Sequence, residues 1–149
     1  MNYFKETEKL LQKLPHKLQV LYAYNCAISV KDKLNPNDTA SLECLNLIAL
    51  WLKDSSLVDS QTLSDTAYHV VTVAFGTASY ASAAYYAATA ASAAANAAAA
   101  AATATAYAMT AAYADSKDKY SKHYYEMLIS MINDITKVER LIWKIEEEK

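Results

Sequence analysis

Residues 67–114 read AYHVVTVAFGTASYASAAYYAATAASAAANAAAAAATATAYAMTAAYA, and apart from His69 nothing in them can carry a formal charge. From Ala78 onward more than half of the positions are alanine. Alanine is the best helix former and loses no side-chain entropy on ordering, so the stretch is read as helix. A helix surfaced with methyl groups also lets a neighbour approach closely. One unbroken helix from Ser60 to Ala114 would reach about 80 Å at 1.5 Å per residue, too long for a globule of this chain length. A reversal is therefore expected at Ser92–Asn96, because asparagine tolerates the left-handed conformation of a helix end. Gly76 is the other candidate, as a break or as a point of close helix contact.

Outward from that run the chain stays helical. One glycine and two prolines in 149 residues leave almost no room for hairpins. A first helix is expected over about Tyr3–Lys13, with Phe4, Leu10, Leu11 and Leu14 inward, and Pro15 ends it or opens the next. The second covers about His16–Leu34, where Leu18, Leu21, Tyr22, Asn25, Ile28 and Ser29 recur at three- and four-residue steps, widened by Cys26 and Val30. Asn35-Pro36-Asn37-Asp38 is a turn, with Asp38 placed to cap the helix after it. That third helix, about Thr39–Lys53, turns Leu42, Leu45, Ile48, Ala49 and Leu52 inward, with Trp51 near its end. Asp54-Ser55-Ser56 stops it, and Asp59 or Ser60 caps the fourth.

Asp115 and Ser116 begin the last helix, expected to run to about residue 147. Tyr120, Tyr124, Leu128, Met131, Ile135, Val138, Ile142 and Ile145 alternate four and three apart, a seam of period near 3.5. It suits a flank on the alanine helices or a coiled-coil dimer. Glu146–Glu148 oppose the helix dipole there, so fraying is expected. The fold class is thus all-α: one domain over 1–149, a compact bundle of five or six helices. A central alanine-rich antiparallel pair (within 59–114) is flanked by N-terminal helices (1–54) and a long C-terminal helix (115–147).

Composition narrows function by exclusion. A net charge of −2 and a pI of about 5.9 give no electrostatic footprint for nucleic acid. The start is not a signal peptide, and Cys26 and Cys44 make no disulfide framework, so reduced, buried thiols and a cytoplasmic location are expected. Two membrane passes, Ala67–Ala90 and Ala93–Ala114, would fit by length, as in a holin-like hairpin. Large aliphatics drive insertion, and they are sparse among Ser79, Ser82, Thr89, Ser92, Asn96, Thr103 and Thr105.

Catalytic signals are missing. His16, His69 and His123 fall in different helices, and no HxxxH, HExxH or CxxC spacing offers a metal site. No phosphate loop or nucleophile elbow fits a chain with a single glycine. His69 is read as a packed core residue, and the carboxylates as caps and solvated positions. No enzyme, cofactor or metal is expected. Among twelve tyrosines, Tyr80, Tyr85, Tyr86, Tyr107 and Tyr113 are bulky knobs on otherwise smooth alanine helices. They either fill the core or face outward as rigid anchors, as tyrosine does at binding hot spots; Tyr85, Tyr86, Tyr107 and Tyr113 are the nominated contacts. An eleven-residue threonine row of ice-binding kind finds Thr66, Thr77 and Thr110, but Ala88 and Ala99 interrupt it.

The order of features (Tyr24–Ala27, the Asn35–Asp38 turn, a third helix closing on Trp51-Leu52, then alanine-rich helices with scattered Tyr and Ser) resembles the immunity proteins of bacterial polymorphic toxin systems. The likeness covers about Leu18 to Ala114. Such proteins tend to carry charge, glycine or histidine in their later alanine-rich helices, where this chain has only Asn96 and hydroxyls, so no contact residue is transferred. The resemblance implies a non-enzymatic inhibitor that neutralises a toxin or effector by stoichiometric binding. A phage or mobile-element inhibitor of a bacterial defence complex, of anti-CRISPR or anti-defence type, has the same physical requirements. A dimeric structural helper, joined through the C-terminal helix, is the reading from another class.

Overall fold

The computed structural model describes the backbone of residues 2–31, 39–73, 78–92, 97–112 and 117–133, and the side chains there except at 71, 73, 78–82, 109–112 and 117–121. The described residues form seven α-helices and no strand: α1 (Tyr3–Gln12), α2 (His16–Ile28), α3 (Thr39–Lys53), α4 (Ser60–Val73), α5 (Ala78–Ser92), α6 (Ala97–Ala112) and α7 (Lys117–Asn133). A short 3-10 turn, Ser55–Leu57, joins α3 to α4. The sequence leads to five or six helices; the described residues make seven, because the run from Ser60 to Ala112 is divided among α4, α5 and α6. Positions 74–77 and 93–96, which hold the two candidate reversals, lie outside the described residues.

Local chemistry accounts for the helix ends. The Asn2 side chain accepts from the Lys5 amide at 3.1 Å and caps α1. Pro15 precedes α2 at its N-cap, where its missing N–H loses nothing. Buried Gln19 donates to the Leu11 carbonyl at 2.7 Å, adding a side-chain donor to the Leu14 amide that the same carbonyl accepts at the end of α1. Asp54 accepts from the Ser56 amide, and Asp59 accepts from Thr62 to cap α4. Those bonds hold both carboxyls below the usual carboxylate range. Helix α2 is shorter than the pattern to Leu34 suggests. It ends at Ile28, where the Ser29 hydroxyl donates to the Cys26 carbonyl at 2.6 Å and competes with helical continuation. The Asn35–Asp38 turn lies outside the described residues.

Packing is densest between α5 and α6. Only positions 93–96 separate them, yet Tyr86 of α5 stacks on Tyr107 of α6, so the two run antiparallel. The fully buried positions on the two helices include Ala83, Ala87, Ala90, Ala97, Ala101 and Ala104, all methyl side chains. The larger aliphatics come from the surrounding helices. Helix α2 lies across both members of the pair, α3 and α4 pack on α5, and α1 and α7 pack on α6. Helix α2 is buried nearly all round, through Val20, Leu21, Tyr22, Ala23, Cys26 and Ala27, as a helix inside a core should be. The centre is therefore a trio, not the alanine pair alone. Small residues leave little area to bury, so an aliphatic helix is laid into the pair's groove.

Helix α7 settles part of the seam. Tyr124, Leu128 and Met131 are buried within the molecule, where α7 packs on α1 and α6. Ile135, Val138, Ile142 and Ile145 lie outside the described residues. Where α2, α6 and α7 meet, the polar groups serve one another. The Tyr22 hydroxyl donates to the Tyr124 carbonyl at 2.9 Å, Ser29 pairs with the Tyr124 hydroxyl at 2.8 Å, and Cys26 lies 3.5 Å from the Thr105 hydroxyl. Among the described residues no buried side-chain polar atom lacks a hydrogen-bond partner.

His16 makes the clearest long-range polar contact. Its Nε2 donates to the Ala90 carbonyl at 2.7 Å, filling one of the open acceptors in the last turn of α5, and its ring meets Trp51 edge-on at 5.1 Å. His16→Phe keeps the ring and removes the donor, so it should cost about 1 kcal/mol, while His16→Ala should cost about 2 kcal/mol. Urea denaturation checks both; equal costs would assign the whole effect to the lost hydrogen bond.

Candidate functional site

The nominated tyrosines come together in part. Tyr85 and Tyr86 meet edge-to-face with centroids 4.7 Å apart, and Tyr86 stacks on Tyr107 at 5.4 Å with planes 10° apart. All three are half-buried and rest on the core. Each ring therefore packs one side on the core and leaves the other partly exposed. Burial and the neighbouring Tyr107 and Tyr85 hydroxyls raise the Tyr86 pKa above the ordinary tyrosine value, so its phenol is neutral in physiological solution. The side chains of Tyr80 and Tyr113 lie outside the described residues.

Helix geometry brings the cluster to the surface. On α5 the half-exposed positions are Tyr85, Tyr86, Thr89 and Ser92; on α6 they are Ala98, Thr103, Ala106 and Tyr107, with Ala99 exposed. Tyr86 against Tyr107 joins the two strips into one face. The hydroxyls on that face are bonded to their own helices: Thr89 donates to the Tyr85 carbonyl, Ser92 to Thr89 and Thr103 to Ala99. What remains is methyl groups, aromatic rings and oxygens that can still accept. No residue between Asp65 and Asp115 is Asp, Glu, Lys or Arg. The face is thus uncharged, while the helices around it carry ionised groups.

Elsewhere one expectation is corrected. His69, expected in the core, is exposed. The inward stripe of α4 is Leu63, Ala67 and Val70, and residue 69 falls a helical step outside it. Of the eleven-residue row, Thr66 lies on α4, Ala88 is fully buried on α5 and Ala99 is exposed on α6, while Thr77 and the side chain of Thr110 lie outside the described residues. Tyr68, 71% exposed on α4, escapes a reading based on the alanine helices alone. Its offset from Leu63, Ala67 and Val70 is the signal that could have found it.

Both thiols lie in the interior. Cys26 and Cys44 are buried and form no disulfide, and burial pushes the Cys26 thiol up to about 12, partly offset by its contacts with the Thr105 and Tyr22 hydroxyls. A thiol held protonated is not a nucleophile. Among the described residues no group of His, Cys, Asp or Glu could hold a metal ion, and no helix is long and apolar enough to cross a membrane. The chain matches no family model, no curated protein and no solved structure.

Proposed function

We propose that this chain is a non-enzymatic, cytoplasmic protein-binding inhibitor of immunity type, which neutralises a toxin or effector by stoichiometric binding. The observation that carries this reading is the preformed Tyr85–Tyr86–Tyr107 cluster on a charge-free face. Tyrosines already locked against one another lose little entropy on binding, and each offers a large apolar body with a hydroxyl tip. The polar groups of the interior, by contrast, are engaged with each other, as a body that binds without reacting requires.

The test uses the purified products of the genes adjacent to this one, together with the growth of cells expressing each of them. One such product should be toxic, should form a one-to-one complex with this chain, and should be silenced by co-expression. Tyr107→Ala should weaken that complex by about tenfold or more while leaving the circular dichroism helical. Tyr107→Phe separates the contribution of the hydroxyl from that of the ring. No toxic neighbour, or a complex indifferent to Tyr85, Tyr86 and Tyr107, would remove the reading.

A further inference from the structure

Helix α7 is attached differently from the helices at the centre. Of its twelve described side chains, at 122–133, Tyr124, Leu128 and Met131 are buried, whereas α6 buries seven of the twelve at 97–108. It packs chiefly on α1 and α6, and those two also pack on each other, so the contacts among α1–α6 do not run through α7. Its polar tethers converge on Tyr124, whose carbonyl accepts the Tyr22 hydroxyl at 2.9 Å and whose hydroxyl pairs with Ser29 at 2.8 Å. Ser29 is exposed, so water competes for its end of that bond. A further contact, Asn25 to the Met131 sulfur at 3.9 Å, uses a weak acceptor. Beneath α7 the Tyr22 hydroxyl also touches the Cys26 thiol and the Thr105 hydroxyl. Water can serve each of these groups in turn, so parting the junction strands no polar atom in a dry interior.

We infer that α7 is a latch: it lifts from α1 and α6 while the other six helices stay packed, and in lifting it lets water reach the Tyr22–Cys26–Thr105 cluster. The inference needs no partner and is independent of the tyrosine face. A helix held by three buried side chains and a junction of hydroxyls opens on its own more often than the whole molecule unfolds. The trio of α2, α5 and α6 has the opposite character, because its buried residues face one another and part only when the core is lost. Cys44 belongs to that core: it lies on α3 with its sulfur 3.5 Å from the Ala84 carbonyl of α5. The chain thus carries one buried thiol beneath the latch and another remote from it. With α7 seated, Cys26 is shut from solvent and protonated; with α7 lifted, it meets water and reacts as an ordinary thiol.

Amide hydrogen exchange and iodoacetamide labelling of the full chain, in urea kept below the unfolding transition, test the inference, with each labelled thiol assigned by peptide mass. Amides at 122–133 should be protected at least about tenfold less than the best-protected amides of α5 and α6, with a flatter urea dependence because less surface is exposed. Cys26 should be labelled at least about tenfold faster than Cys44, with the same flat dependence. Tyr124→Phe keeps the ring and removes the bond to Ser29, so it should speed labelling of Cys26 and exchange in α7 about fivefold and leave Cys44 unchanged. Ser29→Ala removes the same bond from the exposed side and should act alike. Exchange of α7 only together with α5 and α6, at one urea dependence, would overturn the latch. So would a Cys26 that stays as protected as Cys44 while α7 opens, or variants that speed both thiols equally.

Discussion

Leucine in place of Ala104 should lower stability by about 3 kcal/mol, whereas leucine at Ala99 on the same helix should change it by less than about 0.5 kcal/mol. Ala104 is fully buried on the helix that packs most closely with α5, and Ala99 is exposed. The two substitutions add the same atoms to the same helix with the same propensity gain or loss, so their difference isolates packing. Where backbones are held close by methyl contacts, three extra carbons have no space unless the helices separate. Separation would also pull α5 and α6 from α2, which lies across both. Chemical denaturation in urea measures the two costs. Similar costs would mean that the alanine interface is loose enough to accept bulk, and the account of α5 and α6 as a close-packed pair would fail.

Alkali should unfold the protein cooperatively, beginning above pH 9. In the native state burial pushes the Cys26 thiol from 9.0 to about 12, and burial raises the Tyr22 phenol well above 10.0. Both groups are neutral when protonated, so the native state holds its protons at pH values where the unfolded chain has released them. Stability is therefore complete below the unfolded pKa and falls as pH rises through the window. For Cys26 the window runs from 9 to about 12, and the full loss is of order 4 kcal/mol, a large share of the stability of a small domain. Tyr22 adds a loss of the same sign that starts about one pH unit higher. In Cys26→Ala the fall of stability between pH 9 and 10 should be visibly shallower, while Thr105 keeps its bond to the Ala101 carbonyl. Superimposable pH profiles for wild type and variant would show that Cys26 does not carry the effect.

Much of the fold is legible from residue types because helix ends and helix propensity are local. Asp59 before a run of good helix formers, Pro15 between two amphipathic stripes, and Asp54-Ser55-Ser56 after Trp51 each act within a turn of the chain, and each lies at an observed boundary. The two candidate interruptions of the alanine run, Gly76 and Ser92–Asn96, fall where α4 gives way to α5 and α5 to α6. Helix α2 departs from its pattern where a tertiary contact decides: Ser29 leaves the helix and pairs with the Tyr124 hydroxyl, which sequence spacing cannot foretell. His69 departs for a different reason. Along a helix with few charges, apolar periodicity is weak, and a neighbour one residue away from the buried stripe reads as part of it.

The tyrosines are visible as bulky exceptions among alanines, but their partnership is not. Tyr86 and Tyr107 meet only because α5 and α6 run antiparallel, and that register is set by packing of whole helices. From residues alone come the all-helical class, the methyl-surfaced run and most of the helix ends, because propensity and capping act over a few neighbouring bonds. Tertiary structure alone decides that α2 joins the central pair, that part of each alanine helix faces water, and that distant Tyr107 meets the adjacent Tyr85 and Tyr86 on one surface. Those facts depend on how rigid helices of low relief fit against one another in three dimensions, and a run in which more than half of the positions are alanine does not mark which side that fit will bury.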